Sequence, residues 1–207
     1  MSKYVCLTFD DGPNLGKDST MNDMLDVLQK HSVSASFFLI GNKIDANNAA
    51  VIKRAVEMGC DIENHSWSHP DMAKLSSEQI LEEYKKTDEA IISVTGKKPE
   101  FFRPPYISVS ETLFSLIKVP FICGHGCDDW LPDFGADERL EMMLSGTEDG
   151  VIFLLHVMEK NSLTVEVVDR AIPILKSQGY EFLTVPELFE RRGIKKINDG
   201  KLWTVVK

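Results

Sequence analysis

The sequence predicts one α/β domain whose parallel strands form a closed or nearly closed barrel. Seven short apolar segments alternate with seven helical patterns along the 207 residues, an order typical of repeated βαβ units. A chain of this length often folds around a single core in barrel-type proteins. No internal repeat, linker or low-complexity tract divides it. We therefore expect a single domain over residues 1–207.

The first strand covers Tyr4–Phe9, where β-branched, aromatic and apolar residues precede a break at Gly12-Pro13. A helix then runs to His31, with Ser19 or Thr20 as its candidate N-cap. The next strand is apolar almost throughout, as strands buried on both faces are. The later strands are predicted at 34–41, 60–64, 101–102, 121–123, 151–155 and 182–185. The later helices are predicted at 46–58, 76–94, 110–119, 137–145 and 164–177 and from residue 186, followed by a closing hairpin over 194–206.

The overall composition is that of a folded globular protein. Hydrophobic residues make up 43% of the chain and charged residues 27%. The formal net charge of -9 argues against a nucleic-acid partner, because phosphate binding requires a basic surface. No apolar run approaches the roughly 20 residues of a membrane-spanning helix. The N-terminus enters the first strand without a basic segment, an apolar stretch or a cleavage site. This predicts a cytoplasmic protein, or an extracellular one if a leader has been removed.

The cysteines are expected to be small buried thiols rather than a disulfide framework. At least three of Cys6, Cys60, Cys123 and Cys127 fall in apolar, strand-like segments. The segment from Cys123 to Cys127, with His125 at its centre, offers potential metal ligands. Its spacing differs from that of zinc knuckles, and no second cluster accompanies it, so we do not expect a metal there.

Two adjacent carboxylates stand at the end of the first predicted strand. Asp10 and Asp11 follow directly on an apolar run. Because side chains alternate along an extended backbone, the two acids point in different directions and can take different tasks. One can hold a metal while the other moves a proton. Taken alone, the segment also fits an ordinary acidic turn, since Asp, Gly and Pro dominate turns.

Other chemically active residues also follow predicted strands. The C-terminal ends of parallel strands share one face of an α/β fold, and active sites are built on that face. The residues that we expect to meet there are Asp10, Asp11, His65, His69, Arg103, Asp129, Trp130 and His156.

His65 and His69 are candidate metal ligands. They are four residues apart, so on a helical turn both imidazoles face the same way. With one aspartate they form a set of two histidines and one carboxylate, which leaves coordination positions open. A divalent ion in such a set lowers the pKa of water and polarises carbonyl groups. Zinc, cobalt, nickel and iron all suit these ligands. The alternative is a pair of surface or core histidines.

His156 follows an apolar run, a position where an ordinary solvent-exposed histidine is not expected. It is a candidate general acid, a third imidazole ligand or a satisfied buried histidine. As an acid it must be protonated, and Asp129 can raise its pKa by holding the other ring nitrogen.

Arg103 precedes two prolines and is a candidate partner of Asp10, whose carboxylate it would orient and keep ionised. Trp130 and Leu154 are candidate walls of a small apolar pocket, although such residues more often belong to the core.

Together these residues resemble the polysaccharide deacetylase family, carbohydrate esterase family 4, also called the NodB-homology domain. Its five motifs can be placed in order, from Thr8-Phe9-Asp10-Asp11-Gly12-Pro13 to Leu154-Leu155-His156. The resemblance implies a distorted (β/α)7 barrel that removes acyl groups from N-acylated sugars with zinc or a similar divalent metal.

The resemblance also implies a role for ten residues. They are Asp10 as general base, Asp11, His65 and His69 as metal ligands, Arg103 as the partner that positions Asp10, Tyr106 as the donor of an oxyanion-binding amide, Asp129 as the partner that orients His156, His156 as general acid, and Trp130 and Leu154 as the lining of the acetyl pocket. The chain departs from the family pattern at two positions. Ile107 stands where glycine is common, and Gly126 stands where the fourth motif usually opens with aspartate.

The predicted reaction is hydrolysis of the N-acetyl group of an amino-sugar, of the chitin-oligosaccharide or peptidoglycan type, so an acetylated carbohydrate is the expected partner. Three alternatives stay open. The first is an intracellular deformylase or amidase acting on a small or lipid-linked acylamide, and the second is an acetylxylan O-deacetylase. The third is a catalytically silent module that binds a metal or carbohydrate. The sequence does not indicate an oligomeric state.

Overall fold

The computed structural model describes residues 2–14 and 20–207. The strands of this part of the chain are β1 (Lys3–Asp10), β2 (Ser36–Leu39), β3 (Asp61–Asn64), β4 (Phe121–Ile122), β5 (His125–Gly126), β6 (Val151–His156), β7 (Tyr180–Phe182) and β8 (Leu202–Trp203). Its α-helices are α1 (Met21–His31), α2 (Ala49–Glu57), α3 (Ser77–Thr95), α4 (Glu111–Leu116), α5 (Ala136–Ser145), α6 (Ser162–Ser177) and α7 (Val185–Arg191). Short 3-10 turns cover Gly41–Lys43, Met72–Lys74 and Pro105–Ile107.

The strands form a distorted barrel. In the described part of the chain, two hydrogen-bonded sheets make up its wall, and single-residue β-bridges connect them. A parallel sheet has the order β3-β2-β1-β6-β5, and β7 pairs with the first residues of β1. A second sheet contains β4 and β8. Phe102 bridges both Asn64 at the end of β3 and Phe121 in β4, while an antiparallel bridge joins Val151 to Val205. The predicted α/β architecture of parallel strands is confirmed, and the sheet is discontinuous on either side of Phe102.

β1 lies at the centre of the fold and is buried from Tyr4 to Asp10. Its odd-numbered apolar residues belong to the large core that includes residues of α1, α2 and α6. Tyr4 and Cys6 belong to a smaller cluster with Phe38 and Ile152. Because successive side chains alternate across a strand, Asp10 lies on the same side as Tyr4 and Cys6. The alternation that builds two cores therefore also directs the last carboxylate of β1 away from the helical layer.

The C-terminal segment differs from the predicted hairpin. β8 is parallel to β4, and its neighbour Thr204 accepts a hydrogen bond from the Ile152 amide at 2.9 Å. The Cys123 amide donates to the Trp203 carbonyl, also at 2.9 Å. These residues therefore fill the gap between β4 and β6 instead of pairing with each other. The sequence pattern missed this arrangement because both partners are distant along the chain.

Several local predictions also need correction. β7 ends at Phe182, and Thr184 caps α7 in a reciprocal capping box with Glu187. Helix α4 ends at Leu116, earlier than predicted, and β5 was not predicted. Thr20 stands at the N-cap of α1, but its hydroxyl donates to the Met158 carbonyl at 3.0 Å. The other candidate cap, at position 19, lies outside the described residues.

The four cysteines are free thiols, and all except Cys123 are buried. His125 was considered as a metal ligand between two of them. Its Nε2 atom instead lies 3.3 Å from the Met142 carbonyl oxygen, and its ring packs near Phe153. Among the described residues, none of the helices has both the length and the apolar character needed to cross a membrane.

Gly150 provides a test of the contact that joins β6 to the C-terminal segment. Gly150 and Gly179 both have left-handed backbones, with φ of +85° and +83°. A Cβ atom at Gly150 would lie 2.0 Å from the Val206 carbonyl oxygen, whereas at Gly179 the nearest atom is 4.0 Å away. Both alanine variants should lose about 1 to 2 kcal/mol from the left-handed backbone. Gly150→Ala should lose about 1 to 3 kcal/mol more through the clash.

Urea unfolding of the two variants measures this difference in the free energy of unfolding. Equal losses of stability in the two variants would mean that the segment around Val206 can move away at no cost, so that its contact with Gly150 does not stabilise β6.

Candidate active site

The predicted site residues converge at the C-terminal ends of the strands. Eight of the ten line one cavity of about 410 Å³, and Pro104 and Ile107 complete its lining. Arg103 and Asp129 lie behind the wall, where they contact Asp10 and His156. A larger cavity of about 770 Å³ lies at the opposite ends of the strands. Lys196 in that cavity forms ion pairs with Glu100 and Glu190, so its charge is matched by these two residues.

Asp11, His65 and His69 form a group that fits a metal ion. Nε2 of His65 lies 3.7 Å and Nε2 of His69 lies 3.6 Å from Oδ1 of Asp11. Ligand atoms of all three residues lie within 4.8 Å of one another. Oδ1 of Asp11 is buried and has no hydrogen-bond partner among the described residues. A buried carboxylate oxygen without a donor is costly. A divalent cation supplies the missing partner, and one carboxylate with two imidazoles is a set that binds it.

The hydrogen bond of its other ring nitrogen gives His65 the tautomer that a metal ligand needs. Nδ1 lies 2.7 Å from the Arg103 carbonyl oxygen, which can only accept, so Nδ1 carries the proton. Nε2 is then the bare nitrogen that faces Asp11. Burial lowers the pKa of His65 to about 3, although the charge of Asp11 acts in the opposite direction. The imidazole is therefore neutral near pH 7, as metal binding requires.

The two candidate ligands His65 and His69 lie in a loop, which corrects the predicted helical turn. Ser66 and His69 have left-handed backbones, with φ of +66° and +59°. Asn64 Oδ1 accepts from the Ser66 amide at 2.9 Å, and Ser66 Oγ accepts from the His69 amide at 3.0 Å. The spacing of four residues was informative, but the side chains are brought together by this hydrogen-bonded turn and not by helical periodicity.

Glu83 on α3 supports the same loop and was missed in the sequence. One carboxylate oxygen accepts the amides of Trp67 and Ser68 at 2.9 and 2.8 Å, and the other accepts the Ser68 hydroxyl at 2.7 Å. Nothing distinguishes Glu83 from the other acidic residues of α3 in the sequence. Its role depends on a contact between α3 and the loop that only the fold creates.

Asp10 is buried and paired with Arg103. Oδ1 of Asp10 lies 2.5 Å from Nη1 of Arg103, whose side chain is completely buried and stacks over the Phe38 ring at 4.2 Å. Burial raises the pKa of Asp10, whereas the charges of Arg103 and His156 lower it, and the net result is a raised pKa. The expectation that Arg103 keeps Asp10 ionised therefore describes only the weaker effect. A cation bound at Asp11 would lower this pKa further.

His156 is held in the protonated form by Asp129. Nδ1 of His156 lies 2.7 Å from Oδ1 of Asp129, and the His156 amide donates to Oδ2 at 2.8 Å. Burial lowers the pKa of His156, but the hydrogen bond and charge of Asp129, aided by Asp10 and Asp11, raise it to about 9. With Nδ1 occupied by Asp129, Nε2 is the nitrogen available to a ligand in the cavity.

Apolar and aromatic side chains form the walls of the cavity. The Tyr106 ring packs against His69 at 4.7 Å, and the Trp130 ring packs against His156 at 5.5 Å. Tyr106 and Trp130 are 70% and 45% exposed, whereas Leu154 is 8% exposed. The site is therefore deep and polar at its base and open and aromatic at its entrance.

The loop at Tyr106 has an unusual backbone. Tyr106 and Ile107 are both left-handed, with φ of +58° and +53°. A β-branched residue rarely adopts this conformation, so Ile107 is strained. The Tyr106 amide has no acceptor among the described residues, which leaves it available to a ligand. At the other departure from the family pattern, a Cβ on Gly126 would lie 3.4 Å from the Trp130 ring.

Substitution of Glu83 tests whether the loop must be held for metal binding. Glu83→Ala removes three hydrogen bonds from the loop that carries the candidate ligands His65 and His69. Because residues that orient metal ligands are typically worth 10- to 100-fold in affinity, we expect zinc affinity to fall about 10-fold. Competition with a chromophoric chelator measures the affinity.

The neighbouring variant Glu82→Ala is the control, because Glu82 is exposed and, within the described part of the chain, forms an ion pair only with Lys86. Equal zinc affinity in the two variants would show that the loop keeps its shape without Glu83.

Comparison with known proteins agrees with this geometry. The family model of polysaccharide deacetylases matches residues 1–119. The chain is 43% identical over 205 residues to a bifunctional xylanase/deacetylase of Pseudobutyrivibrio xylanivorans, a match that covers 99% of this chain and 33% of that protein. It is 36% identical over 189 residues to a peptidoglycan-N-acetylglucosamine deacetylase of Listeria monocytogenes, covering 91% of this chain and 39% of that protein. The chain thus spans between a third and two fifths of the length of these two relatives.

Solved structures match along nearly their whole length. The Xyl-CE4 domain of a multidomain xylanase from the hindgut metagenome of Trinervitermes trinervoides has a TM-score of 0.95 and 40% identity, covering 99% of this chain and 98% of that one. A family 4 acetyl xylan esterase from Clostridium thermocellum, in complex with a cobalt ion, has a TM-score of 0.94 and 38% identity, with 99% of both chains covered. The predicted fold type is therefore confirmed. Taken with the family model, these matches show that the chain belongs to the polysaccharide deacetylase family, carbohydrate esterase family 4, a family of metal-dependent hydrolases.

Proposed function

We propose that this protein is a metal-dependent deacetylase that removes acetyl groups from polysaccharides. One observation carries the proposal: a candidate three-ligand cation site and two candidate proton-transfer groups, Asp10 and His156, surround the same small cavity. A neutral His65 and the unpartnered Asp11 oxygen suit a cation. Asp10 and His156, on adjacent strands, suit a base and an acid.

Asp11, His65 and His69 would hold a divalent cation, which when bound would lower the pKa of water and polarise the acyl carbonyl group. Asp10 is placed to take the proton of the attacking water, because Arg103 holds its Oδ1 atom while Oδ2 lies 3.7 Å from the ligand nitrogen of His65. His156 then donates its Nε2 proton to the leaving group. The Tyr106 amide donates to the acyl oxygen as negative charge develops on it.

The substrate class divides into two candidates. The sequence predicts an N-acetylated amino-sugar of the chitin or peptidoglycan type, and the similarity to the Listeria monocytogenes peptidoglycan deacetylase supports it. The second candidate is O-acetylated xylan. It is favoured by the higher identity to the bifunctional xylanase/deacetylase and by the likeness to the acetyl xylan esterase over the whole chain. On this basis we place acetylxylan first for this chain and the amino-sugar second.

Release of acetate, or of formate from the formylated substrate, decides between these substrates. The zinc- and cobalt-loaded proteins should be compared on acetylxylan, chitin oligomers, peptidoglycan fragments and formylated amino-sugars. We expect activity on acetylxylan to be lost on chelation and restored by metal. Activity confined to the amino-sugar substrates would reverse the order of the candidates. No hydrolysis of any acetylated or formylated sugar by the metal-loaded protein would refute the proposed function.

Substitutions test the two proton-transfer roles. Asp10→Asn and His156→Ala should each lower kcat/KM by about 10²- to 10⁴-fold, because a positioned acid or base contributes about this much. The control is Asp128→Asn, since Asp128 is near the site, and asparagine tolerates its left-handed backbone, with φ of +51°. Circular dichroism verifies folding of all three variants. A rate for either test variant equal to that of the control would remove the assigned role.

The pH dependence of kcat/KM should be bell-shaped. His156 must be protonated, and its pKa is raised to about 9, so activity should fall as the pH rises through about 9. Asp10 must be ionised, and its pKa is raised by burial, so activity should also fall on the acidic side. Asp129→Asn removes the charge that stabilises the imidazolium and should move the alkaline limb to lower pH. A profile that stays flat through pH 9 would contradict the role of His156.

A further inference from the structure

A buried hydrogen-bond network lies behind the pair formed by Asp129 and His156. Oδ2 of Asp129 accepts the Thr164 hydroxyl at 3.0 Å and the Asn161 side-chain amide at 3.2 Å, in addition to the His156 amide. Thr164 is completely buried and Asn161 is 4% exposed. Both stand at the start of α6. The three hydrogen bonds to Oδ2 fix the orientation of the carboxylate, in which the other oxygen, Oδ1, faces Nδ1 of His156.

Arg139 fixes the orientation of these two donors. It lies on α5, is 3% exposed, and donates from Nη1 to Asn161 Oδ1 at 2.8 Å and to Thr164 Oγ1 at 3.1 Å. Because the Asn161 oxygen is occupied by Arg139, its amide nitrogen must face Asp129. Because the Thr164 oxygen accepts from Arg139, its hydroxyl hydrogen is free to point at Asp129. The guanidinium therefore determines how both side chains present their protons.

The same guanidinium holds the segment that follows Trp130. Nη2 of Arg139 donates to the Leu131 carbonyl at 2.9 Å, and Nε donates to the Phe134 carbonyl at 3.0 Å. Trp130, the residue before Leu131, packs its ring against His156. One buried side chain thus contacts both the support of the candidate acid and the backbone beside the aromatic wall of the cavity.

We propose that Arg139 is a positioning residue that locks the Asp129–His156 pair and the Trp130 segment into one arrangement, acting through Asn161 and Thr164. Arg139 itself touches neither the cavity nor the cation ligands. The inference rests on the proposed function for the roles of His156 and Trp130. The hydrogen bonds of Arg139, Asn161 and Thr164 do not depend on that function.

The experiment uses the zinc-loaded variants Thr164→Val and Arg139→Lys. Valine keeps the shape of Thr164 but removes one donor to Asp129. Lysine keeps the charge of Arg139 but cannot make its four hydrogen bonds at once. The control is Thr87→Val, because Thr87 is also completely buried and, among the residues that the structure describes, its hydroxyl bonds only to the Glu83 carbonyl of its own helix. The readouts are kcat and KM measured separately, their pH dependence, and the nitrogen NMR titration of His156.

We expect Thr164→Val to lower kcat by about 10-fold or more with little change in KM, since small misplacements of catalytic groups cost this much. Its alkaline limb and the His156 titration should move to lower pH, because His156 loses part of its contact with Asp129. Arg139→Lys should lower kcat and also raise KM, because the Trp130 segment is released. Thr87→Val should change neither parameter.

Unchanged kinetics and an unchanged His156 titration in Thr164→Val would overturn the inference. A titration shifted to higher pH would also overturn it, since that result means that the hydroxyl only disperses the charge of Asp129. An effect of Arg139→Lys on kcat without an effect on KM would remove the link to the Trp130 segment. If the wild-type protein hydrolyses none of the substrates, the proposed function fails, while the NMR titration still decides the positioning role.

Discussion

The register between β1 and β6 is the constraint on which the site depends. The two strands pair in parallel from Val5 with Val151 to Asp10 with His156, so the candidate base and the candidate acid are direct neighbours across the ladder. A slip of one residue would turn every side chain of β1 to the opposite face and remove Asp10 from the cavity. Both strands are buried almost throughout, which ties their register to core packing. Hydrophobic alternation and proton-transfer geometry are therefore set by the same pairing.

Two buried carboxylates, Asp10 and Asp129, differ in what their surroundings leave free. Asp129 accepts from His156, Asn161 and Thr164, so both of its oxygens are engaged with protein donors. Asp10 is bonded to Arg103 through one oxygen only. Burial raises the pKa of Asp10, whereas Asp129 raises the pKa of His156. One acid can therefore exchange a proton with a ligand while the other serves as a fixed counter-charge, a division that depends on environment and not on residue type.

Much of the fold and most of the site could be predicted because both follow short-range patterns. Apolar runs located the interior strands, and the common direction of parallel strands brought their polar ends together. The remaining features depend on contacts between residues that are distant along the chain, which local sequence patterns do not reveal. The loop of His65 and His69 takes its shape from Asn64 and from Glu83 on another element, which spacing cannot reveal. The pKa of Asp10 depends on how far burial outweighs the charge of Arg103, and the sequence does not show how deeply Asp10 is buried. The role of Arg139 also cannot be predicted, because it arises only from the packing of α5 against α6.

The contrast in exposure between the base of the cavity and its entrance restricts how a polymer can approach. Asp10 and His65 are each 2% exposed, while Tyr106 and Trp130 at the entrance are 70% and 45% exposed. In the proposed reaction a group that projects from a sugar ring must reach this buried carboxylate, while the ring itself can contact the exposed aromatic side chains. On this proposal the backbone of the polymer lies across the opening. Such geometry imposes no requirement for a chain terminus, and units in the middle of a long polysaccharide are as accessible as those at its ends.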